Sequence, residues 1–247
     1  LRPVLTLAAF EAVGGAEDLP YDAVMPAACA VEMIHTYSLI HDDLPCMDDD
    51  AERRGRPTTH VQFGEALALL AGDALLTQAF RLVCDRSAYR GAARAERIVD
   101  VTAALAHAAG WLGMVGGQSI DLGFEGPVDD EDALSFLHRR KTGELFRFSC
   151  LAGATLGDGS GDQIRALAEY GETLGLAFQI ADDVLDDQQD QGERGDDASE
   201  TPSFTALLGA EEAMERAVSL SERAVDLLST FGSRADPLRS LAWYAVH

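Results

Sequence analysis

All-α is the fold class this sequence predicts, and three observations carry it. Long Ala-, Leu-, Glu- and Arg-rich stretches repeat apolar residues every three or four positions, the spacing of one helix face. Alternating Val/Ile/Thr segments that would form strands are scarce. Gly- and Pro-containing breakers fall between the apolar stretches, not within them.

The first helix is expected over about 3–14, stopping at Gly14-Gly15. A longer one spans about 21–43. Pro45, which lacks an N–H and disfavours helix at the preceding residue, should end or bulge it near Asp43. Gly55-Arg56-Pro57 separates it from a helix over about 64–83. Helices over about 94–121 and 130–157 are parted by Gly126-Pro127, and one over about 162–187 follows Gly157-Asp158-Gly159. The tract from Asp186 to Glu200 is acidic and short of hydrophobes, so a mobile loop is expected there. Helices over about 209–231 and 235–246 complete the chain.

A chain of 247 residues with 47% hydrophobic content can bury a sizeable core, and one domain over 1–247 is expected. Its start at Leu1, not Met, predicts that upstream residues are missing. With 42 acidic against 19 basic residues, the net charge of −23 argues against nucleic-acid or anionic-membrane surfaces, which reward clustered Lys and Arg. Cys29, Cys46, Cys84 and Cys150 show neither CxxC nor zinc spacing, so a reducing cytoplasm is expected. No uninterrupted apolar run approaches eighteen residues, so no membrane span is expected.

Two acidic clusters, Asp42-Asp43-Leu44-Pro45-Cys46-Met47-Asp48-Asp49-Asp50 and Asp182-Asp183-Val184-Leu185-Asp186, each end an apolar helical run. A single cluster would ordinarily be a solvated helix face or an N-cap. Two of them, both following apolar helix ends, imply a cation, because burying unpaired carboxylates is costly. Oxygen ligands without a His or Cys set favour Mg²⁺. Asp182 and Asp186, four apart, share a helix face. Asp42 and Asp48 would diverge in a regular helix, so the break at Pro45 must let Asp48 fold back toward Asp42.

These residues bring a family into view. His35-Thr36-Tyr37-Ser38-Leu39-Ile40-His41-Asp42-Asp43 through Asp50, continuing to Arg53-Arg54-Gly55-Arg56-Pro57-Thr58-Thr59-His60, resembles the first aspartate-rich motif of short-chain trans-polyprenyl diphosphate synthases. Gly175 to Asp186 resembles the second. Leu1-Arg2-Pro3, Gly116-Gly117-Gln118-Ser119-Ile120-Asp121-Leu122 and Lys141-Thr142-Gly143-Glu144-Leu145 agree in order, so the resemblance covers essentially the whole chain. It implies an isoprenoid synthase fold, antiparallel helices around a deep central cavity, in a homodimer. The implied reaction joins isopentenyl diphosphate to an allylic diphosphate, dimethylallyl or geranyl.

The resemblance also implies residue roles. Asp42, Asp43, Asp48, Asp182 and Asp183 form the catalytic acidic walls, with Asp42, Asp48 and Asp182 as ligands to Mg²⁺, three ions per site with substrate bound. Arg53, Lys141 and Thr142 hold the allylic diphosphate, and Arg2, His35 and Arg54 the isopentenyl diphosphate. Gln179 lies near the allylic substrate, where its amide dipole orients phosphate or stabilises cationic charge. Gln118 and Asp121 support the site or form a buried hydrogen-bonded pair, and Phe178 is expected in ordinary core packing. Tyr37, five residues before Asp42, and Ser38 set product length: the aromatic favours farnesyl diphosphate, and the small Ser38 leaves geranylgeranyl diphosphate open.

Two departures stand out. The family's Gly-Gly-Lys ahead of Arg2 is absent, and its two lysines after the second motif are replaced by Gly192-Glu193-Arg194-Gly195 and Ser199-Glu200-Thr201-Pro202-Ser203-Phe204, where Arg194 is the candidate substitute. A terpene cyclase would lack the paired isopentenyl-binding cations, and a noncatalytic regulatory subunit would be expected to carry damaged acidic motifs.

Overall fold

The computed structural model describes residues 1–123, 128, 130–193 and 203–247, with the backbone alone over 188–193. Helices dominate these residues. Helix α1 (Arg2–Ala12) has Pro3 in its first turn, where a missing N–H costs nothing. It is followed by a short α2 (Gly15–Asp18) and α3 (Met25–Asp42), which ends at the acidic cluster. A two-residue hairpin, β1 (Glu52–Arg53) antiparallel to β2 (Arg56–Pro57), comes next. Arg54 and Gly55 form its turn at φ 53° and 74°. Two left-handed residues make the tight turn that suits a hairpin's twist, and glycine enters that region without strain.

Short α4 (Thr59–Phe63) leads into α5 (Glu65–Cys84), then α6 (Ala95–Ala109), α7 (Met114–Asp121) and α8 (Glu131–His138). A π-helical turn over Arg139–Gly143 passes directly into α9 (Glu144–Leu156). The long α10 (Gly161–Glu193) carries the second acidic cluster, and α11 (Phe204–Leu208), α12 (Ala210–Leu227) and α13 (Asp236–Tyr244) close the chain.

Several expected boundaries change. The helix expected over 94–121 is broken at Gly110-Trp111-Leu112-Gly113, and the one over 130–157 is interrupted by the π turn. Helix continues to Glu193 where a loop was expected from Asp186, and the remainder of that tract, with Arg194, lies outside the described residues, as does Gly126-Pro127.

Two cores organise the bundle. One joins α1, α9, α10, α12 and α13 around Phe146, Tyr170, Leu174, Ile180 and Phe204. The other joins α3, α5, α6 and α9 around Val31, Ile34, Tyr37, Val101 and Phe148. Helix α9 serves both and is buried along nearly its whole length, as a helix apolar on most sides must be.

Helix α5 is different. It buries Ala68, Gly72, Ala79 and Val83, but leaves Leu67, Leu69 and Leu70 about half exposed or more, at 54%, 48% and 61%. Contrary to expectation, Glu65–Cys84 and the stretch Ala95–Asp121 are long and apolar enough to cross a membrane by length and composition. One face of α5 packs against α3, so the unpartnered apolar stripe is on its other side.

Candidate active site

The break after α3 brings the first acidic cluster together. Asp48 N–H donates to the Asp42 carbonyl at 2.9 Å, and Leu44, Met47 and Asp49 are held by further turns at His41 and Leu44. Asp48 thus folds back on Asp42 as the position of Pro45 predicts. Asp42 lines a cavity of about 670 Å³, and Asp182 of α10 lines the same cavity. Burial pushes the Asp42 carboxyl up to about 6 despite the opposing pull of Lys141, and burial with Asp186 and Asp183 nearby lifts Asp182 to about 6. Asp48 is raised by burial too, against the pull of Lys141.

Burial is the first cause of each shift, and a metal ion at these carboxylates would favour their ionised forms. Among the described residues, no group of three His, Cys, Asp or Glu side chains could hold an ion unaided. Mg²⁺ usually takes one or two carboxylates and completes its shell with water and phosphate oxygens.

Asp48, expected as a ligand, is not among the residues lining the cavity, although its backbone returns to Asp42, and Asp43 and Asp183, expected beside the ligands, do not line it either. Asp43 is buried and accepts from Arg53 Nε at 2.7 Å, while Asp50 accepts from Arg53 Nη2 at 3.2 Å. The pair fixes the Arg53 fork at the edge of the hairpin, and both Arg53 and Arg54 line the cavity.

Asp183 is tied on both oxygens. Oδ1 accepts from Gln179 Nε2 at 3.1 Å and Oδ2 from the Phe204 N–H at 3.0 Å, and His138 Nε2 stands 3.6 Å from Oδ2. His138 stacks on Phe204 with ring centres 5.6 Å apart, and burial pushes it down to about 4. Neither its position nor its partners could be read from spacing, since Asp183 is 45 residues away in the chain.

The π turn presents Lys141 and Thr142 to the cavity. Lys141 Nζ is paired with Asp121, and Thr142 Oγ1 donates to Gln179 Oε1 at 2.8 Å. Close approach of α7 makes this possible: a Cβ at Gly117 would sit 2.3 Å from the Lys141 backbone nitrogen, so only glycine fits. Asp121 therefore pairs with Lys141, not with Gln118. Gln118 faces the cavity with both its amide nitrogen and oxygen buried and unpartnered, a group waiting for a ligand or water.

Arg2 and His35 line the cavity beside Arg54. Arg2 has a buried Nε with no partner and a guanidinium 5.1 Å from the Phe146 ring centre, and burial lowers it to about 10, with Glu32 opposing. His35 is pushed down to about 3 by burial, then by Arg2 and Arg54, so it enters as a neutral hydrogen-bonding ring and not as the cation its place among the arginines suggested.

The apolar part of the cavity includes Tyr37, Ser38, Met114, Leu145, Phe146 and Phe178. Tyr37 is 6% exposed and meets the His41 ring edge-on at 5.7 Å. Phe178, expected in ordinary packing, is a wall residue resting on Phe146 at 5.5 Å. Trp111, Met114 and Val115 were missed; the signal available was the Gly110–Gly113 interruption, which turns that segment toward the cavity.

Comparison with known proteins agrees with this geometry. A family model described as polyprenyl synthetase matches residues 1–226. A geranylgeranyl diphosphate synthase from Cyanophora paradoxa is 41% identical across all of this chain and 82% of its own. The apo structure of an FPP/GFPP synthase from Zymomonas mobilis superposes with a TM-score of 0.88 at 40% identity, covering 99% of this chain and 82% of that one. A geranyltransferase from Helicobacter pylori, complexed with magnesium and isoprenyl diphosphate, gives 0.84 at 34% identity, covering 98% and 82%.

Proposed function

The chain belongs to the polyprenyl synthetase family and is a trans-prenyltransferase, and on that premise we propose that it extends dimethylallyl or geranyl diphosphate with isopentenyl diphosphate to make farnesyl diphosphate. The observation carrying the reading is one cavity lined by Asp42 from α3 and Asp182 from α10, with Arg53 and Lys141 beside them and Tyr37 in its apolar part. The allylic C–O bond breaks, the diphosphate leaves with the electron pair, and the isopentenyl double bond attacks C1; a proton then passes to diphosphate.

Mg²⁺ held by Asp42, Asp48 and Asp182, three ions with substrate bound, would supply charge neutralisation for the leaving diphosphate. Arg53, oriented by Asp43 and Asp50, and Lys141 bind that diphosphate from the protein side. Arg2 and Arg54, with neutral His35, hold the second diphosphate. Gln179 Oε1 and Thr142 Oγ1, hydrogen-bonded to each other on the cavity wall, would face the allylic carbon as it gains positive charge, and a fixed carbonyl dipole favours that charge. The buried apolar walls keep water from the cation.

The exposed leucines of α5 support a homodimer, since a stripe of this kind marks an association surface. Four free cysteines support placement in the cytoplasm. A geranylgeranyl product is the second reading, favoured by the Cyanophora relative and by small Ser38 on the cavity wall. Incubation of purified protein with Mg²⁺, radiolabelled isopentenyl diphosphate and each allylic primer tests both. A fifteen-carbon product is expected, a twenty-carbon product selects the second reading, and no elongation from any primer refutes the assignment.

A further inference from the structure

We propose that Asp183 is a positioning residue that sets the amide of Gln179 so that its carbonyl oxygen, and not its NH₂, is turned toward Thr142 and the cavity. The inference rests on the prenyltransferase reading for its consequence, but its logic is one of hydrogen-bond direction. An ionised carboxylate only accepts, and a backbone N–H only donates. Asp183 Oδ2 takes the Phe204 N–H at 3.0 Å. Its other oxygen can satisfy Gln179 only by receiving the NH₂, as it does at 3.1 Å. The Gln179 oxygen must then point the other way, where Thr142 Oγ1 donates to it at 2.8 Å.

The chain of bonds therefore runs in one sense from the start of α11 to the cavity wall. Gln179 and Asp183, four apart on α10, share a face, and the π turn that displaces Thr142 from regular helical position brings its hydroxyl within reach. Both Thr142 and Gln179 line the cavity, whereas Asp183 does not. The second residue of the acidic motif thus acts on the bound allyl group through an amide, while its neighbour Asp182 faces the cavity directly. His138, whose two ring nitrogens are buried without hydrogen bonds, stands beside Asp183 with Nε2 3.6 Å from Oδ2.

Asp183→Asn inverts the relay. The Phe204 N–H still requires an acceptor, so the single amide oxygen of the new side chain goes there and its NH₂ turns to Gln179. Gln179 must answer with its oxygen, presenting NH₂ to Thr142 and the cavity. An allylic diphosphate analogue with an ammonium centre in place of C1 should then bind about tenfold more weakly, because a dipole that faced the charge favourably now opposes it. A thiolodiphosphate analogue of the same shape, uncharged at C1, should change less than twofold.

Titration calorimetry of both analogues with Mg²⁺ present reads this without turnover, so failure of the wild-type protein to elongate any primer would remove the prenyltransferase reading while leaving the relay measurable. A double-mutant cycle supplies the second arm: in Gln179→Met, which has no amide to orient, Asp183→Asn should no longer separate the analogues. Equal losses for both analogues in Asp183→Asn, no loss for either, or a charge-selective effect that persists in Gln179→Met would each overturn the proposal.

Discussion

Replacing Tyr37 by alanine tests the floor of the cavity most directly. The ring is 6% exposed, packs edge-on to His41 at 5.7 Å, and borders a space of about 670 Å³. Its removal opens on the order of 100 Å³ and, as a buried aromatic truncation, should lower stability by about 3 kcal/mol. The same opening admits one more isoprene unit. Burying five further carbons at about 0.8 kcal/mol each contributes roughly 4 kcal/mol, enough to shift the product ratio by about three orders of magnitude once the steric block is gone. Products from dimethylallyl and geranyl primers, dephosphorylated and separated by chain length, should move from fifteen to twenty carbons. Tyr37→Phe should keep the shorter product, since the ring and not the hydroxyl forms the block. If folded Tyr37→Ala protein still stops at fifteen carbons, the floor lies on another helix and the reasoning fails.

Three further outcomes follow from the same geometry. Asp182→Asn should lower kcat by about 10²-fold or more and raise the Mg²⁺ concentration for half-maximal rate, and steady-state kinetics across a Mg²⁺ series showing neither would remove Asp182 from the reaction. Asp42 and Asp182 are both raised from 3.8 to about 6, so in EDTA each contributes stability that is present below pH 4 and lost as pH rises through 6, while buried His35 and His138, lowered to about 3 and about 4, act in the opposite sense over the same range; the unfolding midpoint of the wild type relative to Asp182→Asn should therefore fall between about pH 4 and 6.5, and Mg²⁺ with an unreactive diphosphate should restore it. A relative midpoint that rises over that interval in EDTA would contradict the Asp182 shift. Gly117→Ala forces a Cβ to 2.3 Å from the Lys141 nitrogen and should cost about 2 kcal/mol in denaturant unfolding, with a weaker KM for the allylic substrate; an unaltered midpoint would mean that α7 and the π turn can separate freely.

How much of this could be read beforehand depended on the range over which each feature is determined. The end of α3 and the return of Asp48 to Asp42 follow from a local cause, the missing N–H of Pro45, and were legible. Paired walls at Asp42 and Asp182 were legible because clustered carboxylates ending apolar helices admit few explanations. The π turn was not, since His138-Arg139-Arg140-Lys141 is compatible with continuous α-helix and the close approach of α7 at Gly117 exists only in the fold. Strands of two residues have no periodicity to detect, so the hairpin was hidden between two breakers. Adjacent aspartates look equivalent in a sequence, yet Asp182 faces the cavity while Asp183 is drawn into a buried network by His138 and Phe204, partners set by tertiary contact alone. Phe178 was misassigned for the same reason: an aromatic on an apolar helix face becomes wall or core according to what lies opposite.

Under the roles proposed for Arg53 and Arg54, the hairpin would tie the handling of two substrates to a length measured in single residues. Arg53 ends a strand and is anchored to Asp43 and Asp50, while Arg54 begins the tight turn at φ 53°, so the chain delivers two neighbouring guanidinium groups by different backbone geometries. Because strand side chains alternate in direction, loss or gain of one residue here would exchange which arginine takes the anchored post. The ribbon should therefore accept changes of composition far more readily than any change of span.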